Sequence, residues 1–414
     1  MENLNTGAGP KSLKTEELQQ AIRLVTPERI DWWGWFLWKR FILLNGGRDA
    51  LSEGSHTLGI SVRPYLKDGE LKVGELLAQG ELEVEVPRIA IDESLVPLQP
   101  IAPNSGWQIS KARFNVDRIE ALNRKIAEGR YEAINGFVVV KDGELLIEEY
   151  FNGESRATLH DPRSVGKTIA STIMGMAIAE NHIQSEAQLL SEFYDLKAFQ
   201  NYSPKKDSVT LKSLLTMSSG FLGDDGDMDN PGNEEYMYPT DNWVKFGLDQ
   251  PMHPSRKMGV DYTYFTAGVV ILGDILHKSV PNGLVDYADT KLFAPLGITD
   301  YRWQYTPQKV GNTAGGIQLR AIDFAKYGQL YKNKGMWNGT QLLDESWVEK
   351  SLSKQVSQAY VGRDNWYYGY LFWNKVYAVD GKDYEVSFCT GNGGNKNFIF
   401  KDIPYVIVIT ASAY

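Results

Sequence analysis

The sequence predicts an α+β fold: one antiparallel sheet flanked by helices, a largely helical subdomain beside it, and a separate N-terminal region of short strands and an aromatic-rich helix. Two β-rich runs, INGFVVV and LLIEEYF, surround the turn KDGE and read as a hairpin. Near the other end NFIF, KDIP and YVIVIT repeat that arrangement, and helical periodicity dominates the stretch between. Strands from both ends with helices between them are expected of a sheet closed by distant segments.

The first element is the run DWWGWFLWKRFILL, from Trp32 to Leu44 apolar around nearly the whole circumference of a helix, so that it needs burial. Only Lys39 and Arg40 supply a polar face, too little for a helix lying in a membrane interface, so docking on the protein's own core is expected. ELEVEV then sets Leu82, Val84 and Val86 on one face and Glu81, Glu83 and Glu85 on the other, the alternation of a half-buried strand. The linker VPLQPIAPNSG marks a boundary between an accessory region, residues 1–105, and a larger region, residues 106–414. The larger region opens with FNVDRIEALNRKIAEG, where Phe114, Ile119, Leu122 and Ile126 recur near helical spacing and Gly129 offers a stop. A bare sheet face would expose a large apolar patch, so the aromatic run, about 20 Å long at helical rise, is expected to cover part of one face. A homodimer partner is the competing cover.

Composition narrows the function classes. With 43% hydrophobic residues in 414, the chain can bury a large core, and a net charge of −9 without a basic stripe argues against a nucleic-acid partner. The single cysteine, Cys389, excludes an intramolecular disulfide and cysteine-rich zinc sites. No run approaches the roughly 20 apolar residues of a membrane span, and MENLNTGAGP lacks signal-peptide features. A soluble protein is expected, cytoplasmic as written, or periplasmic or secreted if a signal peptide was removed.

Ser-x-x-Lys occurs at Ser164, Ser203 and Ser351. Ser203 is followed by Pro204 and a charged turn, and Ser351 lies at the polar end of LDESWVEKSL, whereas Ser164 alone precedes a sustained apolar helix with Val165, Ile169, Ile173 and Met176 on one side. Residues three apart share a helix face, so the Lys167 amine can reach the Ser164 hydroxyl. Burial against Ile169 and Met174 favours the neutral amine, which can take the serine proton. The reading of Ser164 as an N-cap beside an exposed lysine remains open on this segment alone.

RSVGK, VTLKSLLTMSSGF, DYTYFTAGVVILGDIL, GGIQLRAIDFAKYGQLYKNKGMWNG and TGNGGNKNFIF, in that order, resemble the serine β-lactamase and penicillin-binding-protein-like family, especially its class C-like esterase and amidase branch. The resemblance covers nearly all of residues 107–414, and residues 1–105 share none of it. It implies a β-lactamase/transpeptidase-like fold and a serine hydrolase that forms an acyl-enzyme on Ser164. The family's Tyr-x-Asn motif falls on Tyr264, followed by Gly268 and Gly273 at the family's spacing, which Tyr262 lacks; its phenol is implied to shuttle a proton to the leaving group. Thr266 stands where the family has asparagine. The third motif, Lys-Thr-Gly or His-x-Gly, is placed on Asn392, Gly393 and Gly394, with the Asn395 N–H joining that of Ser164 as the oxyanion hole. Asn392 puts a neutral amide where the family has a cationic or titratable group that helps bind a carboxylate, which favours small uncharged esters or amides over β-lactams. Trp366, Tyr367, Tyr368 and Trp373 are candidate pocket walls.

The expected activity is therefore hydrolysis, or acyl transfer, of a small-molecule ester or amide. The competing readings are a weakened binding or sensor protein on the same fold, motivated by Thr266 and Asn392, and a β-lactamase or D-Ala-D-Ala peptidase. The absence of a Gly-x-Ser-x-Gly elbow argues against an α/β-hydrolase, the absence of an HExxH pair leaves no zinc-site signal, and neither a cofactor nor a metal is expected. His160 is read as a turn or cap residue. Asp225, Asp227 and Asp229 have calcium-loop spacing but lack the loop's glycine and glutamate, which favours a solvated acidic loop at the cleft rim.

Overall fold

A computed structural model of the protein describes Phe41 and residues 47–51, 53–68, 70–86, 90–131 and 133–413. The aromatic run, Phe41 apart, lies outside the described residues, and with it the expectation that it covers the sheet. Among the described residues no helix is long and apolar enough to cross a membrane.

The chain divides into two compact units, residues 1–93 with 127–130, and residues 94–126 with 131–414. The division falls before the proline-bearing linker because Leu98, Ile101 and Trp107 already pack on the apolar clusters of the larger unit. In the smaller unit β1 (Gly54–Val62) pairs antiparallel with β4 (Ala78–Val86), and β2 (Tyr65–Asp68) with β3 (Glu70–Val73). Leu82, Val84 and Val86 are half-buried while Glu81, Glu83 and Glu85 are exposed, as the alternation predicts.

The larger unit begins with α1 (Val116–Ala127) and the hairpin β5 (Ile134–Lys141) and β6 (Glu144–Tyr150). The hairpin turns at Asp142 and Gly143, both with positive φ (53° and 80°), the twist that suits a two-residue connection. A 3₁₀ turn over Arg163–Gly166 runs straight into α2 (Lys167–Ala179). Then come α3 (Leu211–Leu215), α4 (Glu234–Met237), α5 (Trp243–Asp249), α6 (Thr266–Ser279) and α7 (Leu284–Ala288). The pair β7 (Tyr301–Trp303) and β8 (Ile317–Leu319) leads to α8 (Ala321–Lys332), the pair β9 (Met336–Trp337) and β10 (Thr340–Gln341), and α9 (Glu345–Leu352).

The chain closes with β11 (Val356–Ser357), β12 (Tyr367–Tyr368), β13 (Trp373–Val379), β14 (Lys382–Gly391), β15 (Asn395–Phe400) and β16 (Tyr405–Ala411). These join the early hairpin in one antiparallel sheet, ordered β11-β12-β13-β14-β15-β16-β5-β6. Val406 and Val408 face Val140 and Val138 across the β16–β5 seam, and all four are at most 1% exposed. That seam joins the two chain segments that the sequence pattern predicts to meet. One face packs on the main core, to which α2, α6 and α8 contribute. The other carries Val139, Leu146 and Ile147 under Phe114 and Ile119, which explains the apolar stripe on α1.

One asymmetry positions the site. β14 pairs with β15 as far as Gly391 but with β13 only as far as Phe388, so Cys389–Gly391 project beyond β13 toward the Arg163–Gly166 turn.

Candidate active site

Ser164 sits in the 3₁₀ turn and Lys167 is the first residue of α2, so the pair spans a junction between two helix types. In a 3₁₀ turn residues i and i+3 eclipse, which suits the pairing better than an α-turn would. Lys167 Nζ lies 2.7 Å from Ser164 Oγ and donates to the Ala314 carbonyl at 2.6 Å. The lysine is 1% exposed, and among the described residues no carboxylate comes within 4.0 Å of its amine. Its environment is therefore a hydroxyl, a carbonyl and the face of Tyr264, whose ring centroid is 5.3 Å away.

Two glycines clamp the Ser164 turn. A Cβ on Gly391 would lie 1.8 Å from Pro162 O and 3.1 Å from Ser164 N, and one on Gly315 would lie 2.5 Å from Arg163 O and 3.0 Å from Ser164 N. Gly315 also has φ of 132°, a conformation L side chains rarely adopt. Arg163, just before the serine, has φ of 52°, a strained value for a non-glycine residue held in place by this packing.

Tyr264 stacks on Trp373 (centroids 5.9 Å apart, planes 24°), and burial raises its phenol above the ordinary tyrosine value while the Lys167 charge and the Ser164 hydroxyl pull it back. Tyr262, the rival in the sequence, is 2% exposed, packs on Tyr368 and Trp373, and has a hydroxyl without a hydrogen-bond partner among the described residues. The structure thus brings Ser164, Lys167 and Tyr264 together and leaves Tyr262 in the core. Thr266 opens α6 fully buried, its N–H donating to Asp225.

The third motif is laid out differently from the expectation. Asn392, Gly393 and Gly394 form the turn of the β14–β15 hairpin, with Gly393 O accepting from Ala413 N and a Cβ on Gly394 meeting Ala411 at 3.2 Å. The glycine against the Ser164 amide is Gly391, one residue earlier. Asn395 is 1% exposed and braces the hairpin: its Nδ2 donates to Asn392 O (2.9 Å), Ala411 O (3.0 Å) and Asp161 O (3.4 Å), and its Oδ1 accepts from Ala411 N (3.0 Å).

Of the aromatic candidates, Trp373 touches Tyr264 and Trp366 meets Trp373 edge-on at 6.0 Å. Tyr368 is a correction: at 1% exposure it packs in the core against Tyr262 and Trp373. Tyr367, next along the same strand, points to the opposite face and carries Lys354 on its ring at 5.4 Å. His160 is also corrected: it is bridged strand-like to Leu319, with bonds of 2.9 and 3.2 Å, rather than capping a turn.

The acidic loop is only half as expected. Asp227 and Asp229 are exposed, but Asp225 turns inward, and burial together with Glu234 pushes its carboxyl up to about 6 while Thr266 and Lys167 pull it down. Among the described residues no cluster of three or more His, Cys, Asp or Glu is arranged to hold a metal.

A lysine also appears where the sequence offered none. Val386, Phe388 and Thr390 on β14 oppose Phe400, Phe398 and Lys396 on β15, so these six side chains share one face, which is also that of Trp373 opposite Phe388. Lys396 Nζ bonds Thr390 Oγ1, next to Gly391, and burial holds the amine below the ordinary lysine value. Ala314, Gly315, Gly391 and Lys396 were not singled out by sequence, and Asp225 was read only as part of a solvated acidic loop. Gly391 and Gly315 do lie inside the TGNGG and GGIQL blocks, so the only signal for them was adjacency to a motif.

Comparisons with known proteins bear on the family and the fold. The sequence model of the Beta-lactamase family matches residues 123–413. A 6-aminohexanoate-dimer hydrolase of Paenarthrobacter ureafaciens is 23% identical over 251 residues, covering 58% of this chain and 63% of its own length; the chain thus spans less than two thirds of that relative. A family VIII carboxylesterase superposes with a TM-score of 0.55 at 15% identity, covering 71% of this chain and 90% of that one. A D-stereospecific amidohydrolase from a Streptomyces species does so with a TM-score of 0.52 at 14% identity, covering 67% and 89%. With the family's model spanning most of its length and the fold shared with these hydrolases, the chain belongs to the Beta-lactamase family.

Proposed function

We propose that the protein is a serine hydrolase that takes the acyl group of a small ester or amide onto Ser164 and passes it to water or another acceptor. The observation that carries this reading is the 2.7 Å contact between the buried Lys167 amine and Ser164 Oγ beneath the Tyr264 ring. Lys167 removes the Ser164 proton as Oγ attacks the substrate carbonyl, while the Ala314 carbonyl fixes the direction of the amine. Tyr264 then delivers a proton to the leaving oxygen or nitrogen. The Ser164 N–H stabilises the oxyanion. Its partner donor is the N–H of Asn392, the residue that follows Gly391 at the Ser164 amide, in preference to Asn395 across the hairpin.

Two relatives with this fold are named for carboxylester and amide chemistry, which supports either bond as substrate. Lys396 on Thr390 supports a wider range than the neutral Asn392 suggests, because its ammonium can pair with a carboxylate on the substrate. The test is covalent labelling followed by turnover. A fluorophosphonate probe is expected to add once, on the peptide containing Ser164, and Ser164→Ala to abolish both labelling and hydrolysis of p-nitrophenyl esters and anilides. Labelling that survives Ser164→Ala sinks the assignment, and absence of both labelling and turnover in the wild type favours a binding role.

A further inference from the structure

We propose that Asp225 is a positioning residue that holds Tyr264 over Ser164 and Lys167. Its main-chain N–H donates to the Tyr264 carbonyl at 2.9 Å, and its carboxylate accepts from the Thr266 N–H at 2.7 Å, so one residue grips the chain on both sides of Phe265. The second carboxylate oxygen accepts from the Glu234 N–H at 2.8 Å, tying the first turn of α4 to the first turn of α6.

The loop that bears Asp225 is built to resist displacement. Arg256, 6% exposed, donates to the carbonyls of Phe221, Leu222 and Gly223 and pairs with Asp224 at 3.3 Å. Asn230 and Asn233 close the far side through Leu222 O and Asp227 O, both at 3.0 Å. Gly223 lies so close to Phe265 that a Cβ there would sit 2.1 Å from the ring. A loop braced in this way, with the Asp225 N–H on the Tyr264 carbonyl and the Asp225 carboxylate on the Thr266 N–H, transmits its position to that tyrosine.

Charge reinforces the role. Asp225 is felt by Lys167 and by Tyr264, and it shares its surroundings with Glu234, Asp224, Tyr238 and Tyr262. The carboxylate opposes loss of the Tyr264 proton before the leaving group is ready. The inference rests on the proposed proton shuttle through Tyr264 and adds the residue that aims it.

The test is a double-mutant cycle on p-nitrophenyl acetate hydrolysis. Asp225→Asn, which cannot accept both N–H groups, is expected to lower kcat about 10- to 100-fold, the scale of a misplaced reacting group, with KM changed less than about threefold. In the Tyr264→Phe background the same change is expected to cost nothing further, because Asp225 acts through the phenol. Wild-type kcat in Asp225→Asn, or a loss that multiplies that of Tyr264→Phe, overturns the proposal and leaves the hydrolase reading intact. If Asp225→Asn does not fold by circular dichroism, Asp225→Glu keeps the charge, displaces the carboxylate and carries the same expectations. Failure of both to fold assigns a structural role and overturns the proposal. Wild-type protein that neither turns over ester nor labels at Ser164 overturns both readings.

Discussion

Gly391 stands so close to Ser164 that a side chain on it would meet the serine's amide nitrogen at 3.1 Å and the preceding Pro162 carbonyl at 1.8 Å. Both neighbours are backbone, so nothing flexible can yield. Gly391→Ala is therefore expected to displace the Ser164 turn, lowering kcat/KM on a p-nitrophenyl ester at least about 10²-fold and stability by about 1–3 kcal/mol. Kinetics and a thermal melt on one preparation check this, and activity within threefold of wild type would show that the turn yields.

Lys167 and Tyr264 share one environment, the amine lying over the ring. Lys167→Ala and Tyr264→Phe are each expected to cost on the order of 10³-fold in kcat, with the double mutant little worse than the poorer single, because groups acting as a unit are not additive. Tyr262→Phe provides the contrast: it removes a buried hydroxyl that has no partner among the described residues, so activity and melting temperature should hardly change. A large loss in Tyr262→Phe would exchange the roles of the two tyrosines.

Lys396 makes the substrate range testable. Replacing it with Met is expected to lower kcat/KM about 10-fold on an ester carrying a free carboxylate, the scale of one charge-assisted hydrogen bond, and less than about threefold on its neutral analogue. Equal losses on both substrates would remove Lys396 from substrate recognition.

Away from the site, Glu149 makes stability depend on pH. It is 0% exposed, accepts from Gln99 N (3.0 Å) and Asn123 Nδ2 (3.0 Å), and burial raises its carboxyl from 4.5 to about 7. Because the folded-state value is the higher one, the contribution is fully present below about pH 4.5 and is lost as pH rises through about 7. Glu149→Gln, which stays neutral, is expected to gain on the order of 3 kcal/mol relative to wild type between pH 5 and pH 8. Denaturant titrations of both proteins at the two pH values check this, and a constant difference would place the ionisable burden elsewhere.

What the sequence determined by itself was whatever depends on near neighbours. Period-2 alternation and the Asp142-Gly143 turn specify the early hairpin because side-chain direction and φ are local properties. Ser164 and Lys167 meet because a spacing of three closes one helical turn, whichever helix type holds it. Tertiary structure alone decided the rest. Asp225 and Thr266 lie 41 residues apart, so an inward carboxylate in an otherwise solvated acidic loop leaves no periodic trace. Lys396 reaches Thr390 through strand register, and a shift of one residue would send it to the opposite face. Tyr367 and Tyr368 read alike in sequence, and only the packing of Tyr262 and Trp373 against one of them made it core. Gly391 rather than Gly393 or Gly394 abuts Ser164 because β13 begins only at Trp373, opposite Phe388, and leaves the tip of β14 free to reach the serine turn, a relation set by where strands stop pairing.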